Sequence, residues 1–261
     1  MTRSMLTAVL ALVMWMPAHA DVTIKSTGTG KGLGMSGTTT STTYIKGLKM
    51  RIDSVAGKKS STTIFDVENQ KMYVLDSKRM EADVWDMGTF SQELSKAVSV
   101  EGMRTSMKPN GQTKSIADKN AEGYDMEIIV PATVGGADGI QMTMVLSGVT
   151  WIVKGAPGTA EYAAFYKGAA EKGWIFSDPR AAKGSPGQAK AMAEMYTAFA
   201  KLGGVPYESQ MDIKAQGEGM MGSLMARIGG MSTTSTTESI GTAALADDLF
   251  LPPADYKLIP Q

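Results

Sequence analysis

The chain has 261 residues, with 26 basic and 26 acidic side chains, no cysteine and a single histidine. The lack of cysteine excludes thiolate catalysis, and a balanced charge without basic clusters gives no support for nucleic-acid binding. The length is sufficient to bury a substantial core.

Residues 1–20 have the pattern of a secretory signal peptide. Arg3 precedes an apolar stretch, and Ala18-His19-Ala20 matches a small-residue cleavage site. We expect cleavage after Ala20 and export to a bacterial periplasm. The histidine is then lost, which excludes Ser-His-Asp triads and ordinary zinc sites from residues 21–261. No other apolar run approaches the roughly 18 residues that span a bilayer, so we expect no transmembrane segment in the mature chain.

The first two thirds of the mature chain alternate apolar and polar residues with the period of β-strands. After Gly148 the apolar residues change parity, which predicts a bulge or bend. Strands with one apolar and one polar face indicate an antiparallel sheet. The alternating segments are Tyr44–Asp53, Arg79–Asp86, 124–130, 140–147 and, near the C-terminus, 210–214.

Two runs of serine and threonine, Ser36–Thr43 and Ser232–Ser239, interrupt this pattern. Threonine is β-branched and favours strands, so we interpret both runs as solvated strands. The glycine-rich segment Gly217–Met231 is interpreted as a flap over a pocket or as a contact surface for a partner.

Three segments have helical patterns. Thr89–Ala97 opens with a capping box formed by Thr89 and Gln92. Thr159–Lys172 carries an apolar stripe at helical spacing. Ser185–Leu202 has an N-cap serine, proline at the first helical position and two glycines after its end.

Methionine is overrepresented, with 21 in the chain, four of them in residues 1–20. Because methionine is flexible and polarizable, this pattern favours either a deformable apolar cavity between sheet and helices or a methionine-rich core. The Met142-x-Met144 pair also leaves open Cu(I) binding through thioether sulfur. The methionines on the apolar parity or stripe of their elements are Met50, Met80, Met103, Met107, Met126, Met142, Met144, Met192, Met195 and Met211.

Catalytic patterns are absent from the sequence. No serine precedes a lysine by three positions, and no Asp-x-Asp-x-Asp-Gly metal loop occurs. Carboxylate pairs such as Asp247-Asp248 have the context of solvated surface. We therefore predict a protein that is not an enzyme and needs no cofactor or metal.

Several segments resemble a bacterial exported family of unassigned function, which is related to periplasmic lipoprotein carriers of the LolA type and to mycobacterial lipid-binding lipoproteins. The resemblance implies an incomplete antiparallel barrel whose concave face is covered by helices, with acyl chains bound between them. The segments are Tyr44–Arg51, the pattern Asp66-x4-Lys71-x-Tyr73-x-Leu75-Asp76, and Phe250–Lys257.

We therefore predict an α+β fold in which residues 21–261 form a single LolA-like half-barrel domain. The predicted function is non-enzymatic binding or carriage of a lipid or other hydrophobic ligand. The alternative is a structural or interaction protein of the cell envelope, with an envelope protein as partner. The residues predicted to line the ligand cavity are Met142, Met144, Trp151, Phe165, Met192, Met195 and Phe199.

Overall fold

The computed structural model describes residues 21–32, 35–97, 103–134, 140–174, 176, 179, 186–217 and 230–261. In these residues the chain forms one twelve-stranded sheet and three α-helices. The strands are β1 (Val22–Gly32), β2 (Met35–Lys46), β3 (Lys49–Ala56), β4 (Lys59–Asp66), β5 (Lys71–Asp76), β6 (Glu81–Asp86), β7 (Arg104–Ile116), β8 (Lys119–Val134), β9 (Ile140–Lys154), β10 (Gly204–Gly217), β11 (Met231–Gly241) and β12 (Lys257–Pro260). The helices are α1 (Met87–Ala97), α2 (Thr159–Glu171) and α3 (Pro186–Leu202), with a short 3₁₀ helix at Asp247–Phe250.

The sheet consists of two antiparallel meanders. Strands β1 to β6 pair in chain order on one side, β7 to β11 pair in chain order on the other, and the β1–β11 pair joins them. Strand β12 adds in parallel beside β6, so β12 and β7 are the edges. The result is a curved, unclosed α+β half-barrel, and the predicted antiparallel sheet is confirmed for every pair except β6–β12.

The predicted strand Tyr44–Asp53 is wrong in one respect, because it is a hairpin of two strands. Gly47 has a φ of 56°, a left-handed conformation that glycine adopts without steric cost, and it closes the turn between β2 and β3. Ile45 pairs with Met50 across this hairpin. Met50 therefore shares a face with Ile45, whereas an uninterrupted strand would have placed it with Tyr44.

Helix α1 begins two residues before the predicted start at Thr89. The backbone N–H of Thr89 donates to the Asp86 carboxylate at 2.9 Å, so Asp86 is the residue that caps the helix. This hydrogen bond also holds the pKa of Asp86 below its ordinary value. The capping box proposed for Thr89 is thus replaced by an aspartate cap at the end of β6.

Helices α2 and α3 follow β9 and pack against each other. Helix α2 ends at Glu171, one residue before the predicted end, and α3 begins at Pro186, the predicted first helical position. Ser185 and most of the connection between the two helices lie outside the described residues. Of the described helices, none combines the length and apolarity needed to cross a membrane.

Gly148 marks a close approach between strands and not the bulge predicted there. The β8–β9 register runs without a shift from Ile152 to Ile140, straight through Gly148. A Cβ at position 148 would collide with the backbone carbonyl of Gln210 on β10. Glycine is needed here because the neighbouring backbone occupies the space of a side chain.

Most of the methionines assigned to apolar positions do contact the core. Met80 and Met142 are the exceptions: among the described residues Met142 belongs to neither core cluster, and Met80 lies in a turn before β6 with a φ of 54° and is 45% exposed. The predicted strand Arg79–Asp86 extended two residues too far at its start, since β6 begins at Glu81. The buried or core-packed ones are Met50, Met103, Met107, Met126, Met144, Met192, Met195 and Met211.

Candidate ligand-binding site

A partly open cavity of about 300 Å³ lies between helices α2 and α3 and strands β1, β2 and β8 to β11. Aromatic, methionine and aliphatic side chains form one part of its wall, and serine and threonine form another. The lining residues are Ile24, Ser26, Thr43, Met126, Thr150, Tyr162, Tyr166, Met195, Tyr196, Phe199, Val205, Pro206, Ser209, Met211, Thr233, Thr234, Ser235 and Thr237.

The helix wall is built around three tyrosines. The rings of Tyr162 and Tyr166, one turn apart on α2, have centroids 4.7 Å apart. Tyr166 in turn stacks on Tyr196 of α3, with centroids 4.9 Å apart and an interplanar angle of 6°. Met195 and Phe199 continue the wall along α3, and both are buried. The helical periodicity of each apolar stripe brings these side chains to the same side.

The three phenols of this wall are neutral at physiological pH. Burial raises the pKa of Tyr162, Tyr166 and Tyr196, because the phenolate would lose its hydration. The Tyr166 hydroxyl lies 3.9 Å from the sulfur of Met50. The wall therefore presents uncharged rings and hydroxyl groups to the cavity.

The sheet contributes a row of hydroxyl groups. Thr150 is fully buried, and its Oγ1 donates to Ser209 Oγ at 3.1 Å. Ser26 and Ser41 share a hydroxyl–hydroxyl bond of 2.8 Å, and Thr237 donates to the carbonyl of Pro206 at 2.9 Å. In these bonds the hydroxyl groups have a hydrogen-bond partner inside the protein, and their oxygens keep lone pairs that can accept a further hydrogen bond.

No residue that lines the cavity in the described part of the chain carries a formal charge at neutral pH. Lys114, by contrast, forms an ion pair with Glu208 at 2.7 Å and lies 4.3 Å from the Trp151 ring centroid. Trp151 is half-buried and packs against the larger core cluster, whereas its neighbour Thr150 in β9 lines the cavity. Nor do the described residues contain a group of three or more His, Asp or Glu side chains arranged to hold a metal ion.

The seven predicted site residues are distributed over several environments. Met195 and Phe199 line the cavity. Phe165 is buried in the larger core cluster, whereas Met144 and Met192 pack on the smaller one. Met142 is half-buried and pairs with Ala132, and Trp151 is half-buried and packs against the larger cluster. Their role in ligand binding stays a prediction.

The hydroxyl row was not expected, because the two serine–threonine runs were interpreted as solvated strands. Residues of β11 in fact line the cavity, among them Thr233, Thr234, Ser235 and Thr237. A strand with polar residues on both faces gives no sequence signal for which face is inside. The glycines that accompany these runs were the available clue, since glycine in a strand interior often marks a close approach.

Comparison with known proteins identifies similar solved structures. No family model and no curated protein matches the chain. One similar structure is an outer membrane lipoprotein-sorting protein domain from Vibrio parahaemolyticus, with 8% identity, a TM-score of 0.31, and coverage of 90% of this chain and 91% of that one. Another is a DUF1329 family protein from Desulfovibrio piger, with 10% identity, a TM-score of 0.29, and coverage of 90% of both chains.

Proposed function

We propose that this protein binds or carries a lipid or another hydrophobic molecule in the periplasm, without enzymatic chemistry. The observation that carries the proposal is the cavity between α2, α3 and the sheet, with its aromatic and methionine wall. In this proposal the two helices cover the concave face of the half-barrel, and the apolar part of the ligand lies beneath them. Each methylene removed from water contributes about 0.8 kcal/mol to binding.

Met195 and Phe199 are the residues proposed to contact the ligand directly. Both are buried side chains on the cavity wall, and methionine adapts its shape to different apolar partners. Phe165, Met144 and Met192 are proposed to support this wall from the adjoining core clusters. Met142 and Trp151 are left outside the proposed contact set.

The proposal includes export. Residues 1–20 would be removed during secretion, and residues 21–261 would act as one half-barrel domain with a single ligand site. The sheet in the described residues extends from Val22 to Pro260 and joins both ends of that range in one structure, which supports a single domain.

Native mass spectrometry of the purified protein, followed by extraction with organic solvent, tests for a resident ligand. We expect a co-purifying hydrophobic molecule and, after its removal, binding of the neutral fluorophore N-phenyl-1-naphthylamine. A protein that carries no lipid and does not bind the fluorophore would contradict the proposal.

Filling the cavity gives a second test. Met211 lines the cavity and is half-buried, so Met211→Trp adds bulk from the sheet side without replacing a buried core residue. We expect the fluorophore to bind about tenfold more weakly, which corresponds to the loss of about 1.4 kcal/mol. Val55→Trp is the matched control, because Val55 is 48% exposed on β3, and its binding should equal that of the wild type.

A second function is favoured by the edges of the sheet. Leu258 on edge strand β12 is 54% exposed, and Leu251 nearby in sequence is 50% exposed. Exposed apolar side chains on a sheet edge are suited to pairing with a strand of another protein. This structural role would be favoured if the purified protein has an empty cavity and captures an envelope protein through a contact that depends on Leu258.

A further inference from the structure

Three methionines from three different elements line the cavity. Met126 lies on β8, Met211 on β10 and Met195 on α3. Met126 and Met195 are buried, whereas Met211 is half-buried. The three elements are far apart in the chain, so it is the tertiary structure that brings these thioether side chains to one cavity.

Two of the three lie in one row across the sheet, with a glycine between them. Gly148 on β9 pairs with Met126 on one side and with Met211 on the other. Directly paired residues share a face, so the two methionines lie on the same face, about 10 Å apart across two strand spacings. No side chain at position 148 lies between them. Because methionine is unbranched and has three rotatable bonds, both thioethers can lean toward each other over the glycine.

The row belongs to a larger concentration of methionine. Seven of the described methionines belong to the smaller core cluster or pack against it. A core needs apolar volume and not sulfur, and leucine supplies that volume with better-defined rotamers. The concentration of thioethers beside one cavity therefore favours a role for the sulfur atoms themselves. The seven are Met103, Met107, Met126, Met144, Met192, Met195 and Met211.

The chemistry of the cavity selects the kind of ion that these sulfur atoms would hold. Thioether sulfur is a soft, uncharged ligand, and soft sulfur ligands favour Cu(I). Zinc prefers thiolate, imidazole or carboxylate, and no residue that lines the cavity in the described part of the chain offers one of these groups. A divalent ion would keep two unbalanced charges there, whereas a monovalent ion keeps one. The rings of Tyr196 and Phe199 line the same cavity, and the face of an aromatic ring attracts a cation.

We infer that Met126, Met195 and Met211 form a binding site for one Cu(I) ion, which their three thioether sulfurs coordinate. This site is additional to the proposed ligand site, and its existence does not depend on whether a lipid enters the cavity. It also differs from the Met142-x-Met144 pair considered in the sequence, because neither Met142 nor Met144 lines the cavity.

Anaerobic titration tests this inference in the purified exported protein. Cu(I) is supplied as its coloured bicinchoninate complex, and loss of the colour measures transfer of the ion to the protein. We expect saturation at one Cu(I) per chain, confirmed by native mass spectrometry, and no uptake of Zn(II). Absence of Cu(I) uptake, uptake without saturation, or equal uptake of Zn(II) would overturn the inference. A wild type that binds N-phenyl-1-naphthylamine but not Cu(I) would overturn it and leave the proposed function intact, and the reverse result would do the opposite.

Leucine variants locate the ion. Met126→Leu, Met195→Leu and Met211→Leu each remove one sulfur at nearly constant volume, so the fold should persist with a cost below about 1.5 kcal/mol. We expect each to bind Cu(I) about tenfold more weakly or worse, since even residues behind a ligand contribute that much. The controls are Met107→Leu, in the same row but outside the cavity lining, and Met142→Leu. Both should bind Cu(I) as the wild type does, and an equal loss in a control would overturn the inference.

X-ray absorption at the copper edge gives a measurement that does not depend on the variants. The spectrum of the Cu(I)-loaded wild type should show sulfur neighbours, since the proposed donors are thioethers. A first coordination shell of nitrogen or oxygen alone would overturn the inference, whatever the affinity.

Discussion

The ring of Tyr166 on α2 lies parallel to the ring of Tyr196 on α3, with centroids 4.9 Å apart and an interplanar angle of 6°. This pair joins the two helices at the wall of the candidate cavity. The position of α3 relative to α2, and hence the shape of the cavity, depends on this contact.

Tyr166→Ala should therefore destabilise the fold. Tyr166 is buried, and we expect a loss of about 3 kcal/mol from the missing ring together with the lost aromatic contact. Urea unfolding followed by circular dichroism measures this difference. Tyr166→Phe keeps the ring and serves as the control, with a change below about 1 kcal/mol. An alanine variant as stable as the control would show that the stack does not hold the helices.

Alkaline pH should destabilise the protein through the same tyrosines. Burial raises the folded-state pKa of Tyr162, Tyr166 and Tyr196, so folding favours their protonated forms. Their contribution is complete below the unfolded pKa of about 10 and is lost as the pH rises from there toward the raised folded values.

The measurement is the free energy of unfolding between pH 8 and pH 11, values set by the ordinary tyrosine pKa of about 10. A variant with all three tyrosines changed to phenylalanine should lose less stability over this interval than the wild type. If the free energy of unfolding falls with pH equally in the two proteins, the alkaline destabilisation does not come from these three tyrosines.

Gly148→Ala should destabilise the sheet. A Cβ at this position would collide with the backbone carbonyl of Gln210, so β9 and β10 must move apart. We expect a loss of about 2 kcal/mol, in the range of overpacked cores. Gly37→Ala is the control, because among the described residues nothing lies within 4 Å of its Cβ, and it should leave stability unchanged or raise it by up to about 1 kcal/mol. The comparison uses thermal and urea unfolding, and equal stability of the two variants would contradict the close approach.

Asp86→Ala should weaken helix α1 by removing the acceptor for the Thr89 N–H. N-cap removal costs about 1 kcal/mol, whereas Asp86→Asn keeps an acceptor and should cost less. Because the pKa of Asp86 is lowered in the folded state, its ionised form stabilises the protein, and this sets the direction in which the free energy of unfolding changes with pH. The benefit of the ionised carboxylate is present above its unfolded pKa and is lost as the pH falls through the folded value, so the wild type and the Asn variant should converge in acid. Identical acid unfolding curves for all three proteins would rule out this cap.

Much of the architecture could be predicted from local patterns. The alternation in 124–130 and 140–147 identified strands because one face is apolar and the other polar, and Pro186 marked the start of α3 because proline is favoured at the first helical turn. The hairpin at Gly47 was missed because the apolar Tyr44, which lies on the face opposite Ile45, has the same parity as Met50 and made the alternation look continuous. The start of α1 was misplaced because an aspartate at the end of a strand and a threonine two positions into the helix are both acceptable caps.

The candidate site was only partly predictable. Met195 and Phe199 were identified from the apolar stripe of α3, and both line the cavity. The tyrosine stack depends on how two helices meet, which neither helical stripe encodes alone. The hydroxyl row depends on which face of a polar strand is inside.

The sequence alone determined the curved antiparallel character of the sheet, the two helices after β9 and the absence of thiol and imidazole chemistry from residues 21–261. Only the tertiary structure decided that β11 returns to β1, which brings two serine–threonine runs together. Pairing between distant strands has no local signature when both faces are polar, because a shift of one residue exchanges the faces without changing the apolar area that is buried. The hydroxyl groups and the uncharged lining of the cavity in the described residues were therefore set by strand pairing over long sequence separation.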